Sequence, residues 1–475
     1  MIMLARSLRS SARFVRPRAL CRTYASAADL TPNQKYKDVT HPDTCPESTS
    51  ELIASHSHYL LNTYARPPVL FTHGSGLTLH DSAGREYLDF TAGIAVNALG
   101  HNDAGFNKVM AEQVGKLSHV SNAYWNEHAG ELAKSLVEGT KQHGGLGLKG
   151  SSEGGKVFFA NSGTEANEGA LKFARKHGKE VAAAMGIEKK DGIVCFTNAF
   201  HGRSMGALSV TPNPKYQAPF APLIPEVKVG EYNEMNQAKI NALINESTCG
   251  VIVEPIQGEG GVGTGKIEWL EMIGKRAREV GAVLIFDEIQ CGLFRTGTMW
   301  AHSNYPIDAQ PDIVTMAKPL ANGFPIGAIM ARDKVAELIS VGSHGTTFGG
   351  QPLAAALGVY VLSRLNDKAF LASLADTAAH LDSLIVRLPK LFPELIAEDL
   401  RGRGLMRGIP FKDHTAPAEL VKLARHRGVL MLTAGADAVR LVPSLIVSKE
   451  QCDQAMAVVE SCLSLMQEQG WGKKQ

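Results

Sequence analysis

At 475 residues, with 44% hydrophobic and 20% charged side chains, the chain is too long for one compact core of ordinary size and too apolar for a disordered or fibrous protein. Its 49 basic and 47 acidic residues are well mixed, and without a long basic run a nucleic-acid ligand is not expected. No stretch approaches the ~18 uninterrupted apolar residues of a membrane span, so the mature chain is expected to be soluble, with no membrane partner.

The first segment, MIMLARSLRSSARFVRPRALCRTY, contains Arg6, Arg9, Arg13, Arg16, Arg18 and Arg22, several serines, and no acid before Asp29. This is the composition of a mitochondrial transit peptide. Four of the arginines recur at helical spacing, with Leu4, Leu8 and Phe14 beside them, which predicts a basic amphipathic helix on an anionic membrane surface. The bland alternative is a plain basic tail. Arg22-Thr23-Tyr24 followed by Ala25 and Ser26 resembles a processing site, so residues 1–24 are expected to be a leader to the mitochondrial matrix. Without its six arginines the charge balance turns slightly acidic. The seven cysteines (21, 45, 195, 249, 291, 452 and 462) form no C-x-x-C and pair with no nearby histidine. Free thiols are expected, with no metal site and no disulfide framework.

Further along, apolar β-rich runs alternate with helical patterns: KVFFANSG, TEANEGALKFARKHG, DGIVCFTNAF, CGVIVEPI, KIEWLEMIGKRAREVG, AVLIFDEIQ, DIVTMAKPL and PIGAIMA. Continuous apolar strands separated by helices predict an α/β fold whose mostly parallel sheet is covered on both faces. Ligands on such sheets bind at the carboxyl ends of the strands. Those ends carry Asn161-Ser162-Gly163, Glu254, Asp287 and Lys318. Residues 141–155, rich in Gly and Ser, are predicted to be a surface loop. From about residue 353 the pattern turns helical and then gives short strands such as AVRLVPSLIV, which predicts a smaller α+β domain. The expected division is 25–88 as the first segment of the small domain, 89–345 as the large domain and 346–475 as the rest of the small one.

Lys318 lies in VTMAKPLANGFPIGA, with no carboxylate within five residues on either side. A desolvated lysine becomes a nucleophilic amine; the dull alternative is a surface lysine whose head reaches water. Asp287 ends an apolar strand, where its charge needs a cation such as a protonated ring nitrogen, or else it caps the next turn. Ser162 and Glu165 stand at capping-box spacing, so the amides of Gly163 and Thr164 would open a helix as a phosphate site. GEGGVGTGK imitates two nucleotide motifs. Ile267 stands where a P-loop needs Ser or Thr. Gly258, Gly260 and Gly263 do satisfy G-x-G-x-x-G, with Asp287 24 residues on. Pro255 and Gln257 nevertheless separate strand from glycine, and the next helix is expected only near Ile267, so a nicotinamide-dependent dehydrogenase is the rival and not the leading reading.

The motifs NSGTEANEGALK, FHGRSMGALSVT, VEPIQGEGGV, FDEIQCGLFRTG, AKPLANGFPIGA and TTFGGQPLAAA follow one another in this order. From about residue 64 to 450 the chain thereby resembles the class III, ornithine aminotransferase-like transaminases, which depend on pyridoxal 5'-phosphate (PLP) and have fold type I. The resemblance implies that Lys318 binds the cofactor covalently and later moves the proton, and that Asp287 keeps the pyridine nitrogen protonated. Gln290 would bond the phenolic oxygen, Phe200 would stack on the ring, and Gly163 and Thr164 would hold the phosphate. Thr346 or Thr347 would reach in from a second subunit, which implies an obligate homodimer. Arg203 would grip the α-carboxylate of the donor, Arg440 the carboxylate of 2-oxoglutarate or glutamate, and Glu259 would neutralise Arg440 in the first half-reaction. Tyr64 is a further expected substrate contact.

Donors in this family usually carry a terminal amine. GIAVNALGHND and SHVSNAYWNEHAGELA look most like members that use N2-acetylornithine, and Ile94 stands where those using free ornithine carry tyrosine. The expected reaction is N2-acetyl-L-ornithine with 2-oxoglutarate, giving N-acetyl-L-glutamate 5-semialdehyde and L-glutamate in arginine biosynthesis; ornithine and 4-aminobutyrate are the alternative donors. A non-catalytic scaffold of the same fold is disfavoured because every expected catalytic position is filled.

Overall fold

A computed structural model describes residues 31–472; the leader, with its expected helix and cleavage site, lies outside them. Fifteen strands occur among the described residues: β1 (Phe71–Ser75), β2 (Thr78–Asp81), β3 (Glu86–Asp89), β4 (Gly155–Ala160), β5 (Gly192–Phe196), β6 (Val227–Gly230), β7 (Thr248–Val253), β8 (Val283–Asp287), β9 (Ile313–Met316), β10 (Gly327–Arg332), β11 (Arg401–Arg403), β12 (Met406–Pro410), β13 (Val429–Leu430), β14 (Leu432–Ala434) and β15 (Ala438–Leu441). They form a seven-stranded sheet in the order β4-β10-β9-β8-β7-β5-β6 and two four-stranded sheets, β1-β2-β3-β13 and β11-β12-β15-β14.

In the large sheet only β10 runs against its neighbours. Every residue of β5, β7, β8 and β9 is buried, which is why these strands read as continuous apolar runs and not as alternating ones. The Gly163–Met185 helix covers them from one side. It approaches β7 so closely that a Cβ at Gly178 would lie 2.5 Å from Cys249 Cβ. Because β4, β5, β7, β8 and β9 share one direction, Asn161, Phe200, Glu254, Asp287 and Lys318 all emerge along the same edge. Sheet topology alone therefore gathers residues spread over more than 150 positions of sequence.

The small sheets draw on both ends of the chain: β3 pairs in parallel with β13, Leu88 opposite Val429. After β3, the carboxylate of Asp89 accepts from Thr91 N (2.8 Å), Thr91 Oγ1 (2.6 Å) and Ala92 N (3.0 Å). This bends the chain into a turn in which Ala92, Gly93, Ile94 and Ala95 all have positive φ (47°, 64°, 66° and 64°). A left-handed turn costs roughly 1–2 kcal/mol for each residue with a Cβ, and it leads directly to Val96 in the wall of the site.

Residues 141–155 are only in part the surface loop expected of them: 149–152 are exposed, but the stretch just before them is mostly buried. Leu146 and Leu148 are fully buried, the Leu146 amide donates to His302 Nε2 (3.2 Å) and the Gly154 amide to Asp333 Oδ2 (2.7 Å). The glycines supply the positive φ that a tightly folded connection needs, and the two leucines among them anchor it. The stretch Lys368–Leu391 is long and apolar enough to cross a membrane by length and composition. Its helix, Lys368–Ile385, instead spends polar groups on its neighbours: Asp376 on Lys449 (2.6 Å), His380 on Asp453 (2.7 Å) and Asp382 on Arg407 (2.7 Å). The six cysteines among the described residues are all free.

Candidate active site

At the carboxyl edge of the large sheet lies a cavity of about 390 Å³ whose lining includes Gly163, Thr164, Phe200, Arg203, Glu254, Glu259, Asp287, Gln290 and Lys318. Lys318 follows β9 and opens a 3₁₀ turn, Lys318–Ala321, with φ +24°. This sparsely populated backbone is strain of the kind found at functional positions. Burial lowers its pKa to about 8, the positive charge of Arg440 adds to the fall, and Asp287, Glu254 and Glu259 oppose it. Lys318 is thus a desolvated amine with a far larger neutral fraction near neutral pH than an ordinary lysine, about a tenth at pH 7, and not a solvated surface lysine.

Asp287 is held from three directions. Its Oδ2 accepts from Asn167 Nδ2 and His201 Nδ1, both at 2.8 Å, and its Oδ1 from the Ile289 amide at 3.0 Å. A carboxylate has about four acceptor positions, so one remains open towards the cavity. Thr315 Oγ1 in turn donates to Asn167 Oδ1 (2.7 Å), which fixes the amide that faces Asp287. Asn167 and His201, the side chains that hold Asp287, were not singled out by sequence reasoning. A polar Asn167 between buried Ala166 and Ala170 on the inner face of its helix is the signal that could have revealed it.

The Gly163–Met185 helix begins on the residue expected. Ser162 Oγ caps it by accepting from Glu165 N (3.3 Å). The reciprocal half of the capping box is absent: the Glu165 carboxylate accepts from Asn161 N (2.9 Å) and Asn161 Nδ2 (2.8 Å) instead. The amides of Gly163 and Thr164 belong to the first turn, where no helical acceptor exists for them. The hydroxyl of Thr164 is already engaged by the amides of Arg203 and Ser204 (3.2 and 3.3 Å). What remains is a pair of backbone donors at the positive end of a long helix, an anion site.

On the other side, Gln290 Oε1 accepts from Arg440 Nη1 (2.9 Å), so its amide nitrogen is left as a donor, and Arg440 Nη2 meets Glu259 Oε2 at 3.3 Å. Burial lowers the pKa of Arg440 while Glu259 and Glu254 work against that fall. Glu254 accepts from the Phe200 amide (2.9 Å) and the Gly258 amide (2.8 Å). Burial nevertheless raises it to about 7, aided by the charge of Asp287. Gly258 comes so close to Gln290 that a Cβ there would lie 2.2 Å from Nε2. The helix after the glycines starts at Ile267, as expected, and Val253 ends β7. The G-x-G-x-x-G run therefore lies in a long connection, not in a strand-to-helix turn.

Three expected site residues lie apart from this group. Thr346 and Thr347 are not in the cavity lining; Thr346 Oγ1 accepts from Asn161 Nδ2 at 3.0 Å. Tyr64 is 70% exposed. Ile94 sits in the left-handed turn beside Val96, 43% exposed.

Residues 60–463 match the Aminotransferase class-III family, and the chain belongs to that family. It is a pyridoxal-phosphate-dependent transaminase acting on small-molecule substrates. A relative from Neurospora crassa named mitochondrial acetylornithine aminotransferase is 49% identical over 92% of this chain and 91% of its own. Among solved structures, the ornithine aminotransferase of Toxoplasma gondii superposes with a TM-score of 0.79 at 29% identity, over 89% of this chain and 97% of its own. The N-acetylornithine aminotransferase of Stenotrophomonas maltophilia gives 0.69 at 33%, over 87% and 99%. The α/β architecture expected from the sequence is thus that of fold type I transaminases.

Proposed function

We propose that the chain is a mitochondrial acetylornithine aminotransferase, which moves the terminal amine of N2-acetyl-L-ornithine to 2-oxoglutarate. The observation that carries this reading is a pair of unlike guanidinium groups at one site, Arg203 in the cavity lining and Arg440 bonded to the lining residues Gln290 and Glu259. Arg203 makes no ion pair among the described residues, whereas Arg440 is masked by Glu259. A donor with an α-carboxylate and a terminal amine needs the first as a permanent carboxylate ligand. An acceptor with a second carboxylate needs the other only in its own half-reaction. The naming of the Neurospora relative supports the same donor and the same compartment.

The residues fit pyridoxal phosphate. Lys318 would hold it covalently, the open position on Asp287 would take its pyridine N–H, and the Gly163 and Thr164 amides would take its phosphate. Phe200 would lie against the ring, and Gln290 Nε2 would donate to the phenolic oxygen. When bound, the cofactor supplies the electron sink for the charge left on the substrate carbon. Lys318 Nζ, with its lowered pKa, then takes the proton from the amine-bearing carbon of the donor and later returns one. Arg203 fixes the α-carboxylate through the planar fork that lysine lacks. Glu259 covers Arg440 while the donor is bound and swings away for 2-oxoglutarate, which makes the kinetics ping-pong.

A homodimer with shared sites is part of the proposal. Thr346 and Thr347 would complete the phosphate site of the second subunit, and Tyr64 would be a further substrate contact. Exposed Tyr124, Trp125 and Phe348 beside this segment support it. Residues 89–345 are proposed as the cofactor-carrying domain and 25–88 with 346–475 as the smaller one; the β3–β13 pairing supports joining the two ends. Initial rates with acetylornithine, ornithine and 4-aminobutyrate, at fixed 2-oxoglutarate, test the donor. A kcat/KM for either competitor above that for acetylornithine would overturn it.

A further inference from the structure

The guanidinium of Arg203 is held by aromatic rings and not by a carboxylate. Its Cζ sits over the Tyr216 ring at 3.6 Å from the centroid and 5.5 Å from that of Phe200. The two rings meet edge to face, with centroids 6.3 Å apart and planes at 88°. Neither contact consumes the N–H groups at the guanidinium rim.

Tyr216 is itself firmly placed. It lies on the short helix Pro214–Gln217, capped by Asn213, whose side chain accepts from Lys215 N at 3.1 Å. Gln217 Nε2 ties that helix to the carbonyls of Leu208 (3.0 Å) and Ser209 (3.3 Å). The Met205–Ser209 helix is tied in turn to the Gly163–Met185 helix, because Glu168 Oε1 accepts from the amides of Gly206 (2.7 Å) and Ala207 (3.1 Å). The ring under Arg203 is therefore referenced to the same helix that opens the anion site.

We propose that Tyr216 is a positioning residue for donor recognition: by stacking beneath Arg203 it presents the guanidinium's in-plane N–H fork to the α-carboxylate before the donor arrives. Stacking uses the face of the guanidinium and a bidentate carboxylate uses its edge, so the two interactions coexist. A long arginine side chain that is free in the empty site loses rotamer freedom on binding, and a stacked one has already lost it. The inference rests on Arg203 as the α-carboxylate ligand and adds what holds it there.

Two truncated compounds separate the terms. N-acetyl-L-norvaline is acetylornithine without the terminal amine; N-acetylputrescine is acetylornithine without the α-carboxylate. With holoenzyme, Tyr216→Leu keeps apolar bulk but removes the π face, and calorimetry should find N-acetyl-L-norvaline binding weakened by roughly fivefold or more. The kcat/KM preference for acetylornithine over N-acetylputrescine should fall by a similar factor, through KM more than kcat, and Tyr216→Phe should restore both. Tyr216→Gln serves in place of the leucine variant if that one does not fold. Wild-type affinity in the Tyr216 variant, while Arg203→Gln loses it, overturns the role of Tyr216 alone. Unchanged affinity in Arg203→Gln overturns the reading of Arg203 beneath it. Equal losses with both donors would make Tyr216 a general scaffold and overturn the proposal as well.

Discussion

Lys318 and Glu254 are both pushed towards their neutral forms by burial, and each gives a pH signature. For Lys318, lowered to about 8, the neutral amine is the nucleophile. The rate at which apoprotein takes up pyridoxal phosphate covalently, followed by absorbance, should rise with pH and level off above about 8. An ordinary lysine would keep gaining up to about 10.4. Arg440→Gln removes the second cause of the shift, so the midpoint should move upward, and Lys318→Ala should abolish both uptake and turnover. A profile still climbing at pH 10 would count against Lys318 as the desolvated amine. Glu254 shifts the other way, raised to about 7 by burial and by Asp287. A carboxyl whose folded pKa exceeds its unfolded value stabilises the fold fully below the unfolded pKa and loses that contribution as pH rises through the folded one. The Tm of Glu254→Gln apoprotein, relative to wild type, should therefore climb from pH 5 to pH 8. A flat difference would mean that the amides of Phe200 and Gly258 outweigh burial. Lys318 and Asp287 were legible in the sequence because a charge flanked by apolar residues at a strand end is costly unless used. The donors that converge on Asp287 were not, since Asn167 and His201 lie 120 and 86 residues from it.

Among the elements, the Gly163–Met185 helix links the chemistry to the core. Its first turn forms the anion site, its fifth residue orients Asp287, and its later residues press on β7. Gly178 permits that contact: an added Cβ would meet Cys249 Cβ at 2.5 Å and the Lys190 carbonyl at 2.6 Å. Replacing glycine by alanine within a helix gains about 1 kcal/mol in propensity, while forcing a methyl into packed backbone costs about 1–3 kcal/mol. Backbone does not yield as a flexible side chain does, so the second effect should win. Gly178→Ala should unfold at lower denaturant concentration than wild type, and a midpoint equal to or above wild type would show that helix and sheet separate cheaply. The elements around this helix were legible where one physical rule dominates. Buried parallel strands must be continuously apolar, and a helix whose sequence begins Ser-Gly-Thr must expose amides. The rule failed in part of 141–155, where glycines signal a loop but Leu146 and Leu148 decide burial. It failed again for Ala92–Ala95, because nothing in Ala-Gly-Ile-Ala announces a left-handed turn; the Asp89 carboxylate imposes it.

For the whole molecule, strand direction accounts for the site's gathering of distant residues, and it leaves Thr346 and Thr347, expected to serve a second subunit, outside this subunit's own cavity. A dimer with two-fold symmetry resolves this if each subunit lends its threonines to the other, since an isologous interface exchanges the same groups in both directions. That arrangement has a consequence no monomer can imitate. Lys318→Ala removes the amine from a subunit's own site, while a Thr346→Ala/Thr347→Ala chain damages only its partner's. In a mixed dimer, one site combines the intact lysine of the threonine variant with the intact threonines of the lysine variant. Two inactive preparations, unfolded together and refolded, should therefore recover about a quarter of wild-type activity, because half of random pairings are mixed and each mixed dimer keeps one whole site. Refolding each variant alone should recover none. If the threonines served their own subunit, the mixed dimer would hold one site without its lysine and one without its threonines, and the mixture would stay as inactive as its parts.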